Sequence, residues 1–148
     1  MQAIFTFTRR GFNEKLKVGE IFDYKEKKYV LTHIMEIERF YRSSAQMVVK
    51  GIAQLVDGKS DYHLYEKTSE FVRRYPKCEF NKDNPLYRVG DIFVTDGICG
   101  EITSIESIEY EFVDLVVQYR SRLIRPWSDE EMNQAIKEYR LSKFKVVG

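Results

Sequence analysis

The residues best suited to chemistry in this sequence are arginines beside its single tryptophan. Gln118, Arg120 and Arg122 alternate along a run rich in β-branched residues, and Arg125 and Trp127 follow closely. Guanidinium forks donate paired hydrogen bonds to phosphate or carboxylate, and an indole offers a face on which a base can stack. Arg120, Arg122, Arg125 and Trp127 are therefore expected to bind an anionic ligand, either a nucleotide or a nucleic acid. Arg73-Arg74 or Arg9-Arg10 would add charge. Tyr41, Tyr62, Tyr65 and Tyr110 fall at loop-like or helix-start positions, where exposed aromatics more often serve an interface, so a protein partner is the alternative.

Catalytic signatures are absent from the sequence. It contains no phosphate-binding glycine loop ending in Gly-Lys-Ser/Thr, no Gly-x-Ser-x-Gly elbow and no His-Glu-x-x-His. His33, His63, Cys78 and Cys99 are too scattered for zinc-ligand spacing, and Cys99, between Ile98 and Gly100, reads as a small buried hydrophobe. Asp91, Asp96, Glu101, Glu106, Glu109 and Glu111 are the carboxylates from which a magnesium-dependent nuclease would be built, a further alternative. Their expected places, at a strand start, a turn and an exposed face, argue against convergence. Neither an enzyme nor a cofactor is expected.

The 148 residues carry 24 Lys+Arg against 23 Asp+Glu, a formal net charge of +1. That balance argues against a domain-wide basic face for long nucleic acid and favours a discrete anion pocket. No run approaches the length of a membrane-spanning helix, the start of the chain alternates like a strand, and two cysteines do not make a disulfide framework. These features predict a cytoplasmic protein. Small cytosolic proteins without catalytic motifs are common in phages and mobile elements, so an accessory protein that sequesters a nucleotide signal or blocks a host defence enzyme is one expectation.

An internal repeat sets the elements that must position these residues. Val18-Gly19-Glu20-Ile21-Phe22 recurs as Val89-Gly90-Asp91-Ile92-Phe93, and 8 of 21 positions are identical between 18–38 and 89–109. After a gap of three residues within Arg39–Gln46, Met47-Val48-Val49 meets Leu115-Val116-Val117. Each repeat reads as strand, long strand, strand and helix. On the long strand, Val30, Thr32, Ile34 and Glu36 are assigned to one face and Leu31, His33, Met35 and Ile37 to the other. The first helix is placed from Ser60-Asp61 through Leu64, Thr68, Phe71, Val72 and Tyr75, ending at Pro76. The second begins at a capping box, Ser128 to Glu131, with Met132, Ala135, Ile136 and Tyr139 as its apolar face.

The expected fold is α+β, an internal duplication of a small, strongly curved, barrel-like antiparallel unit of three or more strands, each followed by a helix. Residues 1–76 form an N-terminal strand with the first unit, 77–87 a linker, and 88–148 the second unit. In this alignment Arg120, Arg122, Arg125 and Trp127 stand where the first copy has Ile52, Gln54, Asp57 and Lys59. Such divergence is expected if one copy keeps scaffold work while the other takes a ligand, and drift on a solvated face produces it equally well. Exposed strand edges would permit a homo-oligomer.

Overall fold

The computed structural model describes residues 1–57 and 67–147. Among these residues eight strands and one α-helix follow in order: β1 (Gln2–Arg10), β2 (Ile21–Tyr24), β3 (Lys27–Tyr41), β4 (Gln46–Leu55), β5 (Thr68–Tyr75), β6 (Ile92–Thr95), β7 (Ile98–Glu111), β8 (Asp114–Leu123) and α1 (Asp129–Val147), with a short 3-10 turn at Pro76–Cys78 after β5. They form two four-stranded antiparallel sheets with the same plan, β1-β4-β3-β2 and β5-β8-β7-β6. The chain divides into two compact units, Met1–Ser60 with Arg125–Gly148, and Asp61–Ile124. Each unit is a small curled β fold.

The repeated Val-Gly-Asp/Glu-Ile-Phe motif has a backbone reason. Gly19 and Gly90 both sit at φ +98°, a conformation that side chains strain, and each lets the chain turn onto the long strand. Gly19 N–H donates to Leu31 O at 2.8 Å, and Leu31 N–H donates to Glu20 O at 2.9 Å. Gly90 N–H donates to Ile102 O and Ile102 N–H to Asp91 O, both at 2.8 Å. The three-residue gap also resolves. The β3–β4 hairpin loop is two residues longer than the β7–β8 loop, and β3 carries one more bulge, between Ile37 and Arg39.

Those bulges overturn the expected faces of the long strand. Strict alternation would send Leu31 and Ile34 to opposite sides. Register shifts after Leu31, Ile34 and Ile37 instead leave Leu31, Ile34, Ile37 and Phe40 opposite Ala53, Gly51, Val49 and Met47, all on one side of the sheet. In β7, shifts after Ile102 and Ile105 do the same for Ile102, Ile105 and Ile108. An apolar residue every third position is thus a bulged-strand pattern here.

The expected first helix is also corrected. Thr68, Phe71, Val72 and Tyr75 lie on β5, paired with Arg122, Tyr119, Gln118 and Leu115 of β8. Their spacing matched a helical face, but Tyr75 is fully buried while Val72 is 61% exposed, as alternation requires. Ser60, Asp61 and Leu64 lie outside the described residues. A helix therefore does not follow each described repeat. Because β5 is hydrogen-bonded to β8, residues 68–75 belong with the second unit. The segment read as a linker is anchored there too, since Tyr75 Oη donates to Pro85 O at 2.7 Å.

One face of each sheet is aromatic. Phe5, Phe7, Phe22, Tyr24 and Tyr29 form a cluster of mostly edge-to-face rings on the first. Phe71, Tyr87, Phe93 and Tyr119 do so on the second. The same layer is filled from different strands. Tyr29 of β3 corresponds to Gly100 of β7, and Gly51 of β4 to Tyr119 of β8. A Cβ on Gly51 would stand 2.6 Å from Leu31 Cδ1, and one on Gly100 2.7 Å from the Phe93 ring.

The helix begins as expected. Glu131 N–H donates to Ser128 Oγ at 3.2 Å, and Ser128 N–H donates to Glu131 Oε1 at 3.3 Å. It packs within the first unit, where Met132 and Ala135 bury against Val30 with Ile21, Val56 and Trp127. Among the described residues no helix is long and apolar enough to cross a membrane.

Candidate functional site

The three arginines and the tryptophan expected to form the centre of one site, and the arginines expected to add charge to it, have different structural duties. Arg120 and Arg122 project from the face of β8 opposite the aromatic cluster. Arg120 Nη2 lies 2.7 Å from Glu70 Oε1 and its Nε 3.3 Å from Glu106 Oε1, while Arg122 Nη2 lies 3.1 Å from Glu101 Oε2. Hydrogen bonding to Arg120 holds the Glu70 carboxyl below its usual range, and Glu70 in turn raises Arg120. Arg74 bridges Glu111 and Asp114. Asp114 is held low first by the Lys77 backbone N–H and then by Arg74.

Comparison of the repeats explains why these cations are there. In the first unit the same face is covered by α1 and is therefore apolar: Val30, Ile52 and Gln54 are buried. Their counterparts in the second unit are Glu101, Arg120 and Arg122. The Val30–Gln54 cross-strand pair has become the Glu101–Arg122 ion pair. Helix coverage accounts for the divergence without a ligand.

Trp127 sits in the first unit, partly buried against the Val30–Met132–Ala135 cluster. Its backbone is clasped by buried Gln54, whose Nε2 donates to Trp127 O at 3.1 Å and whose Oε1 accepts Trp127 N–H at 2.8 Å. Arg125 is exposed and has no carboxylate partner among the described residues. Arg9 pairs with Glu20 at 3.3 Å.

Arg73 is different. It is partly buried on the aromatic face of β5, its guanidinium carbon lies 5.8 Å from the Phe71 ring centroid, and no carboxylate engages it among the described residues. It lines an open cleft of about 520 Å³ on the second sheet. Phe71, Phe93, Ile98 and Leu123 supply apolar walls, and Thr95 and the Ser69–Ser121 hydroxyl pair, 2.9 Å apart, supply polar groups. A cleft with one unspent guanidinium, three hydroxyls and aromatic walls can hold an anion attached to a flat apolar body.

Comparison with protein-family models, with curated proteins and with solved structures finds no match. Among the described residues no three His, Cys, Asp or Glu side chains converge to hold a metal. Cys78 is exposed, whereas burial raises the Cys99 thiol to about 11, so Cys99 stays protonated. His33 is depressed chiefly by burial, with Glu131 opposing, and its Nδ1 lies 2.9 Å from Thr32 Oγ1. His63, Tyr62 and Tyr65 lie outside the described residues. Tyr41 and Tyr110 are exposed.

Ser69, Phe71, Phe93 and Ser121 were not read from the sequence as site residues. Reading 68–75 as a helix hid the alternation of Ser69, Phe71, Arg73 and Tyr75. The repeat did carry one signal, because Phe93 recurs from Phe22.

Proposed function

We propose that the protein is a non-enzymatic binding protein for a small anionic ligand, a nucleotide, taken up in the cleft of the second sheet. The observation that carries this reading is Arg73, the cation of the cleft that no carboxylate neutralises among the described residues. Phosphate would accept from its fork and from the Ser69 and Thr95 hydroxyls, and the base would lie against the apolar walls. Arg120 and Arg122 are engaged on the opposite face, and the net charge is near zero, so an extended nucleic acid is the less suitable ligand.

The test is a thermal-shift panel of nucleoside mono-, di- and triphosphates, short oligonucleotides and inorganic phosphate. Ligand at about one hundred times its Kd stabilises by about 2.7 kcal/mol, a shift of several degrees. The shift should vanish in Arg73→Ala and persist in Arg122→Ala. The absence of any shift across the panel defeats the reading. A second reading, a protein partner, is favoured by a separate observation: the long hairpins carry Phe40, Tyr110 and Phe112 exposed.

A further inference from the structure

The shared register of the two sheets matches each residue of the cleft to a counterpart in the first unit. Ser69 pairs with Ser121 as Ala3 pairs with Ala53, and Arg73 faces Val117 as Phe7 faces Val49. Phe93 pairs with Gly100 as Phe22 pairs with Tyr29, and Thr95 with Ile98 as Tyr24 with Lys27. Phe71 is retained from Phe5. Four positions of one face have therefore turned from apolar or aromatic to polar: Ala3 to Ser69, Ala53 to Ser121, Phe7 to Arg73 and Tyr24 to Thr95. This face lies opposite the one that α1 covers in the first unit, so helix coverage does not account for the changes.

In the first unit two tyrosine rings fill the space against the retained phenylalanines. Tyr29 stacks on Phe22 with 5.9 Å between centroids and 20° between planes, and Tyr24 stands edge-on to Phe5 at 5.0 Å. In the second unit both rings are gone. Phe93 leans over Gly100 and meets Phe71 at 5.5 Å, and the space beside them is the open cleft of about 520 Å³. The ring that the second unit gains at Tyr119 packs into the core with Tyr75, Ile102 and Val117 and does not line the cleft.

We infer that the cleft takes a nucleotide with a single phosphate, its base standing where the first unit has tyrosine rings and its phosphate on Arg73, in the place of Phe7. This rests on the nucleotide reading of the same cleft. A base against Phe71 and Phe93 repeats the contacts that Tyr24 and Tyr29 make with Phe5 and Phe22. Charge sets the number of phosphates. Arg73 is the only charged side chain among the described residues lining the cleft, and one guanidinium fork matches one phosphate. Each further phosphate adds negative charge that no lining side chain meets.

Isothermal titration calorimetry on the full chain, with the mono- and triphosphates of adenosine, guanosine, cytidine and uridine, tests both parts. The tightest monophosphate should bind about tenfold or more better than its own triphosphate. Thr95→Tyr restores the ring of the first unit at an exposed position, and Thr95→Val removes the hydroxyl but leaves the space open. The tyrosine variant should bind that monophosphate about tenfold or more weaker than the valine variant, with a thermal midpoint no lower than that of the wild type. A triphosphate that binds as tightly as its monophosphate overturns the single phosphate. Equal affinities in the two Thr95 variants overturn the place of the base. Either result leaves the nucleotide reading standing. If none of these nucleotides binds, the nucleotide reading itself falls, and this inference with it.

Discussion

Removing the Tyr119 hydroxyl tests how the second unit holds together. Tyr75 and Tyr119 are both fully buried, and their hydroxyl oxygens are 2.7 Å apart. Each hydroxyl has one proton to give. Tyr75 gives its proton to Pro85 O at 2.7 Å, so Tyr119 donates to Tyr75, and Tyr119 accepts the Tyr87 N–H at 3.2 Å. Three bonds in series thus tie β5, β8 and the chain around 85–87. Burial pushes the Tyr75 phenol well above its ordinary range, so the Tyr75 hydroxyl stays protonated and keeps its proton for Pro85 O through neutral and mildly alkaline solution.

Tyr119→Phe keeps the ring contacts, 5.3 Å to Phe71 and 5.4 Å to Tyr87 between centroids, and deletes two of the three bonds. At about 1 kcal/mol net for each bond, the loss is about 2 kcal/mol, more if the Tyr87 N–H is left without water. Tyr75→Phe also breaks two bonds and costs a similar amount. The double variant loses three bonds rather than four, because the shared one is counted once. It should cost about 3 kcal/mol, leaving a coupling of about 1 kcal/mol. Urea unfolding followed by circular dichroism measures all four proteins, and the single variants should melt about 4–8 °C early. Strict additivity, or a Tyr119→Phe cost below about 0.5 kcal/mol, would refute the relay.

Other expectations follow from single contacts. Gln54→Ala strips both hydrogen bonds from the Trp127 backbone and should cost about 1–3 kcal/mol, with a red-shifted tryptophan emission. Phe112→Gly relieves a positive φ on a side chain that buries nothing, so the thermal midpoint should rise by an amount corresponding to about 1 kcal/mol. The folded state depresses the His33 pKa, so the unfolded chain binds the extra proton and stability falls as pH drops through the unfolded value of about 6.5. Thermal midpoints between pH 7 and 5 should fall less steeply in His33→Gln than in the wild type.

The repeat and the long strands were legible because they rest on local backbone needs. A glycine at φ +98° before each Ile-Phe and a Ser-to-Glu cap before the helix leave direct marks in the sequence. Thr68–Tyr75 was not legible as a strand. Thr68, Phe71, Val72 and Tyr75 fit a helical face, while Ser69, Phe71, Arg73 and Tyr75 fit one face of a strand, and only pairing with β8, forty or more residues away, decides between them. The faces of β3 and β7 were hidden for a related reason. A bulge shifts periodicity by one, and three of them turn a three-residue spacing into one stripe.

The arginines show why the candidate site moved. A cation where a repeat partner is apolar reads as gained function only if both positions share the same surroundings. Here they do not. Ile52 and Gln54 lie on the sheet face that α1 covers, and Arg120 and Arg122 lie on the corresponding face of a unit with no α-helix among its described residues. Removing a covering helix exposes a sheet face to water, and alternating arginine and glutamate is a soluble replacement for valine, isoleucine and glutamine. Those guanidiniums are then neutralised across neighbouring strands, and exposed pairs of this kind contribute little stability. Arg73 escapes this logic because it lies on the aromatic face, where the second unit presents no carboxylate to it among the described residues. A charge on a face otherwise filled with rings needs a reason of its own, and the reason we propose is an anion in the adjoining cleft.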